Sequence, residues 1–233
     1  MEYYLTRTYL NYLPHPINND VITSVCLSKS HRLIKVCRLY SLLEAEDLIK
    51  RDDIRIIFLV RDPRGMAASR MRFTNITTPN EHFNQVIYGE FKLHPKMEEV
   101  VSDYCHWLKV NYFTPLEHPV WLKHKYMMIR YEDLERKRKE TVTKIYNFIG
   151  LKMRFDVLNS IFGDGEQFEQ YDLTDNSEQW RHKLKMEEVV RIQEVCSSDI
   201  FKMFSYISVA NEKQLLDNTT SLVGDLLYNV DSV

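Results

Sequence analysis

Glycine is scarce in this chain: there are six in 233 residues, and none precedes Gly65. A Gly-x-x-x-x-Gly-Lys phosphate loop is therefore missing, which counts against a nucleotide kinase of that class. Long apolar runs are missing as well. The longest, around Ile54 to Val60, is broken by Arg55 and falls far short of the roughly 18 residues a membrane span needs. The opening MEYYLTRTYLNYLPHP has neither the continuous apolar core nor the small-residue cleavage site of a secretory signal, so the sequence reads as soluble and untargeted. Charge of one sign is not in excess. Thirty-one Lys and Arg against 33 Asp and Glu give a net charge of -2, so nucleic acid is not an expected partner and any polyanion site has to be local. The four cysteines, Cys26, Cys37, Cys105 and Cys196, show no C-x-x-C spacing, and no histidine stands in H-E-x-x-H or in a tight cluster, so no metal site is expected. Adjacent Cys105 and His106 read as two faces of one helix. With no repeat, low-complexity stretch or Ser/Gly linker, the chain reads as one domain with a ragged start and tail.

What is present is an alternation of short β-rich runs with longer helical segments, the pattern of an α/β domain with a mainly parallel sheet and flanking helices. The runs are Leu33 to Cys37, Ile54 to Val60 and Tyr126 to Tyr131. The middle one, IRIIFLV, is apolar on both faces, as expected of a central strand covered by helices on both sides. Three stripes recur at helical spacing: Met97, Val101, Tyr104 and Leu108; Val142, Ile145 and Ile149 ahead of a capping Gly150; and Val189, Ile192, Cys196 and Ile200. These are read as core faces.

The informative segment follows the middle strand: Arg61-Asp62-Pro63-Arg64-Gly65-Met66-Ala67-Ala68-Ser69. Ligands of open α/β sheets bind at the carboxyl ends of strands, beside the first turns of the next helices. Pro63 and Gly65 permit a tight turn, and Ala67 and Ala68 let the new helix lie close to the sheet. Outward-facing amides at a helix N-terminus suit a phosphate, and an arginine fork adds bidentate charge-assisted bonds. Ser69 would add a hydroxyl. The competing reading is that Arg61 and Asp62 pair with each other or cap the helix.

LVRDPRGMAASRM resembles the 3′-phosphate-binding segment of the carbohydrate sulfotransferases, and LIKVCRL, IRYEDL and SEQWRHKL resemble further motifs of the Golgi branch that sulfates the 6-hydroxyl of galactose, N-acetylgalactosamine or N-acetylglucosamine. The likeness covers roughly residues 26–209, leaving 1–25 as a divergent or truncated start and 210–233 as a tail. It implies a three-layer sandwich related to the phosphate-loop nucleotide hydrolases. It also implies 3′-phosphoadenosine 5′-phosphosulfate as donor, a glycan such as keratan or chondroitin sulfate as acceptor, no metal, and a Golgi-lumen location, family members being membrane-anchored. Carried over by position, Arg61 and Ser69 would bind the 3′-phosphate, with Asp62, Pro63, Arg64, Gly65, Met66, Ala67 and Ala68 giving shape and amides. Trp180 would pack near the nucleotide, or else anchor a loop as a buried residue, and Arg181 would reach a phosphate. Lys35 resembles a lysine at the end of an earlier strand, and Lys35 or Arg38 are candidates to neutralise the transferring sulfuryl group, or else surface salt-bridge partners. Tyr131, Glu132 and Asp133 are read as a strand end and helix cap. The resemblance also implies a disulfide between Cys105 and Cys196, and the sequons Asn75-Ile76-Thr77 and Asn218-Thr219-Thr220 fit a secretory route.

One departure matters. The family's loop for the 5′-phosphosulfate, an Arg-x-Gly-Ser-Ser or Thr pattern after the first strand, has no counterpart here, and the acceptor-activating carboxylate and signal anchor are not found either. The expectation is an N-terminally truncated domain lacking its first strand, with Val21 to Leu27 as the segment that could stand in for it, and little transfer activity. Two readings stay open: a glycan sulfotransferase, or a non-catalytic nucleotide-binding or interaction protein of the same family.

Overall fold

The computed structural model describes residues 19–36, 39–74, 97–117, 119–154 and 177–226. They fall into two units, the described residues up to Leu39 in the first and those from Tyr40 onward in the second. In the first unit, α1 spans Asn19–Leu27, so the segment that could have replaced a lost strand is helical. Ser24 Oγ donates to the Val21 carbonyl within the helix, and Ser28 Oγ, just past its end, to that of Val25. Arg32 then closes the helix end, its Nε donating to the Cys26 carbonyl at 2.8 Å and its Nη2 to that of Leu27 at 3.0 Å. Residues 31–36 continue as irregular chain with Leu33 94% exposed, so the run expected as a strand from Leu33 is not one over its described part. β-prone side chains do not make a strand without a backbone partner, and no partner pairs with these residues among those described. Cys37, the last residue of that run, lies outside the described residues.

The second unit carries the sheet. A 3₁₀ turn, Leu42–Ala45, and a short α2, Glu46–Ile49, precede β1, Ile56–Val60. Helices α3 (Pro63–Thr74), α4 (Met97–Glu117) and α5 (Pro119–Leu122) lead to β2, Tyr126–Arg130. The two strands pair in parallel, from Ile56 opposite Tyr126 to Val60 opposite Arg130. After β2 come α6 (Tyr131–Arg136), α7 (Arg138–Phe148), a 3₁₀ turn at Gln179–His182, α8 (Met186–Met203) and α9 (Glu212–Leu216). This is an α/β arrangement of a parallel sheet with flanking helices. β2 is buried along its whole length, but β1 differs from the expected central strand. Among the described residues β2 is its one partner, and Leu59 is 49% exposed, so one face of β1 is open.

The helical stripes on α4 and α8 are core faces. Val101 and Leu108 on the first, and Val189, Ile192, Cys196 and Ile200 on the second, are buried. The two helices pack together, and the Cys105–Cys196 disulfide joins them with 5.3 Å between Cα atoms. Buried Met66, Ala67 and Ala68 bring α3 against both. Asn111 on α4 ties down the entry to the unit: its Nδ2 donates to the Tyr40 carbonyl and its Oδ1 accepts from the Leu42 amide. The third stripe behaves differently, since Val142, Ile145 and Ile149 of and after α7 are only half-buried. Gly150, at φ 72°, ends that helix, its amide bonding the Asn147 carbonyl and that of Leu151 the Tyr146 carbonyl. That pair of bonds is a glycine C-cap, for which a positive φ is required.

Candidate functional site

Leaving β1, the chain passes through Arg61 and Asp62 into α3, whose first residue is Pro63, a position where a missing amide hydrogen costs nothing. Asp62 caps the helix: its Oδ1 accepts from the Arg64 amide at 2.8 Å. The same carboxylate pairs with the Arg64 guanidinium, Nη2 to Oδ2 at 2.6 Å, and both side chains are fully buried. Arg64 spends its remaining donors on the Ile207 carbonyl at 2.8 Å and Gln193 Oε1 at 3.2 Å, and its guanidinium lies 4.2 Å from the Trp180 ring centroid and 4.9 Å from that of Phe201. Asp62 thus pairs with Arg64 and not with Arg61.

The amides of this turn are also taken up internally. The Arg61 amide donates to Tyr104 Oη, that of Asp62 to Glu132 Oε1 and that of Met66 to the Asp62 carbonyl. The expectation of amides facing outward fails at 61, 62, 64 and 66: a tyrosine hydroxyl, the carboxylates of Glu132 and Asp62, and the helix's own first carbonyl take them in turn.

Arg61 is treated differently. Its guanidinium lies 4.5 Å from the centroid of the Tyr131 ring, and no carboxylate pairs with it among the described residues. It borders a cleft of about 170 Å³. One wall is Arg61, Gly65, Ala68 and Ser69, and the other is Gln179, Trp180 and Lys183, with Tyr131 completing the lining. Gly65 is needed here for close approach: a Cβ would stand 3.2 Å from Arg61 Nε and 3.4 Å from Trp180 Cδ1. Among the described residues the lining holds two cations, the hydroxyls of Ser69 and Tyr131, a side-chain amide and two aromatic rings, and no carboxylate. Lys183 Nζ donates to Gln179 Oε1 at 2.7 Å. Arg61 Nε and Trp180 Nε1 are buried with no hydrogen-bond partner among the described residues. Such a cleft suits a compact, multiply charged oxyanion attached to a flat group.

Beneath the cleft, Glu132 links the two strand ends. Its Oε1 accepts from the Asp62 amide at 2.9 Å and its Oε2 from the Tyr206 hydroxyl at 3.0 Å. Burial foremost, and then the charge of Asp62, push its carboxyl up to about 7. Asp133 takes the Arg130 guanidinium bidentately, Nε to Oδ2 at 2.8 Å and Nη2 to Oδ1 at 2.7 Å. Of the reading of Tyr131 to Asp133 as a strand end and helix cap, the strand-to-helix junction is seen but the cap is not. β2 ends at Arg130, and all three residues lie in the first turn of α6. Glu132 and Asp133 bond Asp62, Tyr206 and Arg130 in place of the helix's own amides, while Tyr131 lines the cleft.

The Trp180-Arg181 pair divides. Trp180 is buried beneath Arg64 and lines the cleft, whereas Arg181 does not line it. The Arg181 guanidinium donates to the carbonyls of Leu215, Thr220, Gln214 and Asp217. Four backbone acceptors leave it engaged inside the protein, in place of the expected reach to a phosphate. Lys35 lies in the exposed chain of the first unit, and Arg38 lies outside the described residues. The sequence reading missed Tyr131, Gln179 and Lys183. Tyr131 could have been found from the parallel register, since Val60 opposite Arg130 puts the next residues, Arg61 and Tyr131, side by side at the strand ends. Lys183 follows Trp180 by three residues, one turn of a 3₁₀ helix.

Comparison with known proteins adds an independent line. A model of the sulfotransferase domain matches residues 9–171. Human carbohydrate sulfotransferase 1 is 30% identical over 221 residues, which are 89% of this chain and 52% of that protein. Its counterpart from Danio rerio is 27% identical over 233 residues, 91% of this chain and 53% of that protein. Human carbohydrate sulfotransferase 3 is 26% identical over 220 residues, covering 89% and 45% of the two chains. The chain spans about half the length of the curated relatives it matches. No solved structure matches it. The domain match, with relatives that are carbohydrate sulfotransferases, establishes that the chain belongs to the sulfotransferase family.

Proposed function

We propose that the chain transfers a sulfuryl group from 3′-phosphoadenosine 5′-phosphosulfate to a sugar hydroxyl of a glycan, the 6-hydroxyl of galactose, N-acetylgalactosamine or N-acetylglucosamine. The observation that carries this reading is the cleft at the carboxyl end of β1, with Arg61, Ser69 and Lys183 on its walls and no acidic group among the described residues that line it. Arg61 supplies a fork for two oxygens of the 3′-phosphate, Lys183 a second positive charge and Ser69 a hydroxyl donor. The turn from Asp62 to Ala68 gives the wall its shape, while Asp62 and Arg64 hold it from behind. In the reaction the acceptor oxygen bonds to sulfur as the bridging bond to the 5′-phosphate breaks. The hydroxyl proton passes to a base, and adenosine 3′,5′-bisphosphate leaves. Cations around the sulfuryl oxygens lower the barrier of such an anionic transition state, the role we give to Lys35 or Arg38.

The luminal setting implied by the family is supported by the Cys105–Cys196 disulfide, since such bridges persist in oxidising compartments, and by the exposed turn that carries Asn218 of the Asn218-Thr219-Thr220 sequon. No helix among the described residues is long and apolar enough to cross a membrane. A second reading, nucleotide binding without transfer, is favoured by one observation: Val21 to Leu27, the segment that could stand in for a first strand, is helical.

Calorimetry with adenosine 3′,5′-bisphosphate and a radiolabelled-sulfate assay on galactose- and N-acetylhexosamine-terminated glycans test both readings. Binding with transfer supports the first and binding without transfer the second. Absence of binding by the folded chain contradicts both.

A further inference from the structure

Tyr104 is the side chain that fixes Arg61, and no part of the proposed phosphate chemistry uses it directly. Its hydroxyl accepts from the Arg61 amide at 3.0 Å and donates to the Arg61 carbonyl at 2.9 Å. One oxygen thus closes both backbone groups of one residue, as a neighbouring strand would. Val60, the residue before, is the last of β1 to pair with β2, and Asp62, the residue after, gives its amide to Glu132. Side chains therefore bond the backbone of both Arg61 and Asp62 at the point where strand pairing stops. The rest of Arg61 is steered by Tyr131 under the guanidinium and by the space that Gly65 leaves.

Tyr104 is itself held. Cys105, the next residue on α4, is bridged to Cys196 of α8. The Tyr104 ring stacks on that of Trp107 at 5.7 Å between centroids. Burial holds its phenol well above the ordinary range, so the hydroxyl stays protonated and able to donate.

We infer that Tyr104 is a positioning residue for the anion site: its hydroxyl sets the direction in which Arg61 leaves the sheet, and through it the affinity and selectivity for a nucleotide that carries a 3′-phosphate. The inference rests on the proposed reading of the cleft. It goes further in assigning a residue that touches no ligand and that its helical spacing marks only as part of a core face.

The test compares binding of adenosine 3′,5′-bisphosphate and adenosine 5′-monophosphate to the wild-type chain, Tyr104→Phe, Arg61→Ala and the double variant, with thermal melts confirming folding. Loss of the two hydrogen bonds in Tyr104→Phe is expected to weaken the bisphosphate about fivefold and leave the monophosphate unchanged, so that selectivity for the 3′-phosphate drops by the same factor. The double variant is expected to bind as weakly as Arg61→Ala alone, since Tyr104 acts through Arg61. A loss shared equally by both nucleotides, or losses that simply add in the double variant, would make Tyr104 a packing residue and overturn the inference. A loss in Arg61→Ala with none in Tyr104→Phe overturns the inference alone, and unchanged binding in both overturns the reading of the cleft with it. Should Tyr104→Phe fold poorly, hydrogen exchange of the wild-type chain decides: a protected Arg61 amide is expected, and exchange at the rate of an open loop refutes the clamp.

Discussion

The wall of the cleft and the frame behind it use arginine in opposite ways. Arg61 and Arg64 are three residues apart, yet Arg64 is enclosed by Asp62, Gln193, the Ile207 carbonyl and two aromatic rings, while Arg61 rests on one ring and borders open space. Arg181, next to the cleft-lining Trp180, gives its donors to four carbonyls. The difference is one of solvation. A buried guanidinium is tolerable only when its donors are met, and a group so satisfied has little left to offer a ligand. A guanidinium held by its backbone and a ring keeps its fork available. Substitution in the frame should therefore cost stability, and substitution on the wall should cost binding.

The largest effect is expected at the disulfide. Cys105 and Cys196 are 91 residues apart, and releasing a loop of that size should cost about 4 to 5 kcal/mol. Denaturant melts of Cys105→Ser/Cys196→Ser against the oxidised chain measure it, and a loss below about 1 kcal/mol would place the bridge outside the cooperative core. Next is Arg181→Ala, which strands four carbonyls and should cost about 3 to 4 kcal/mol, by the same melts.

The third effect is a pH dependence. The Glu132 carboxyl titrates at about 7 in the folded chain, above its ordinary 4.5. The stability its protonated form contributes is complete below the ordinary value and is lost as pH rises through about 7, on the order of 3 kcal/mol in all. Glu132→Gln should flatten the stability profile between pH 5 and 8, and an unchanged profile would assign the dependence elsewhere. The smallest effect is Ser69→Ala, a loss of roughly 1 kcal/mol in bisphosphate affinity with no change in melting temperature.

Much of this frame was legible in the sequence because it is periodic. The apolar stripes of α4 and α8 follow helical spacing, and IRIIFLV ending in a charged Pro-Gly turn marks a strand leading to a helix. The position of the turn at the strand end was legible for the same reason. What each arginine does there was not. Arg61 and Arg64 carry the same charge in the same turn, and their fates depend on Tyr104, Gln193 and Ile207, far away along the chain. The Arg181 acceptors lie 33 to 39 residues downstream and are backbone carbonyls, which no residue type announces. The strand expected from Leu33 failed because hydrophobic composition specifies a β preference and not a partner. Tyr131 reads as structural from its place at a strand end, but it opens α6 and its ring lies under the Arg61 guanidinium and lines the cleft.

Calorimetric titration of adenosine 3′,5′-bisphosphate into the wild-type chain and Arg61→Ala tests the division between wall and frame most directly. Arg61→Ala should keep its melting temperature within the range of surface substitutions and lose about 2 to 4 kcal/mol of affinity, the worth of a bidentate charged contact. Unchanged affinity in a folded Arg61→Ala chain would contradict the account.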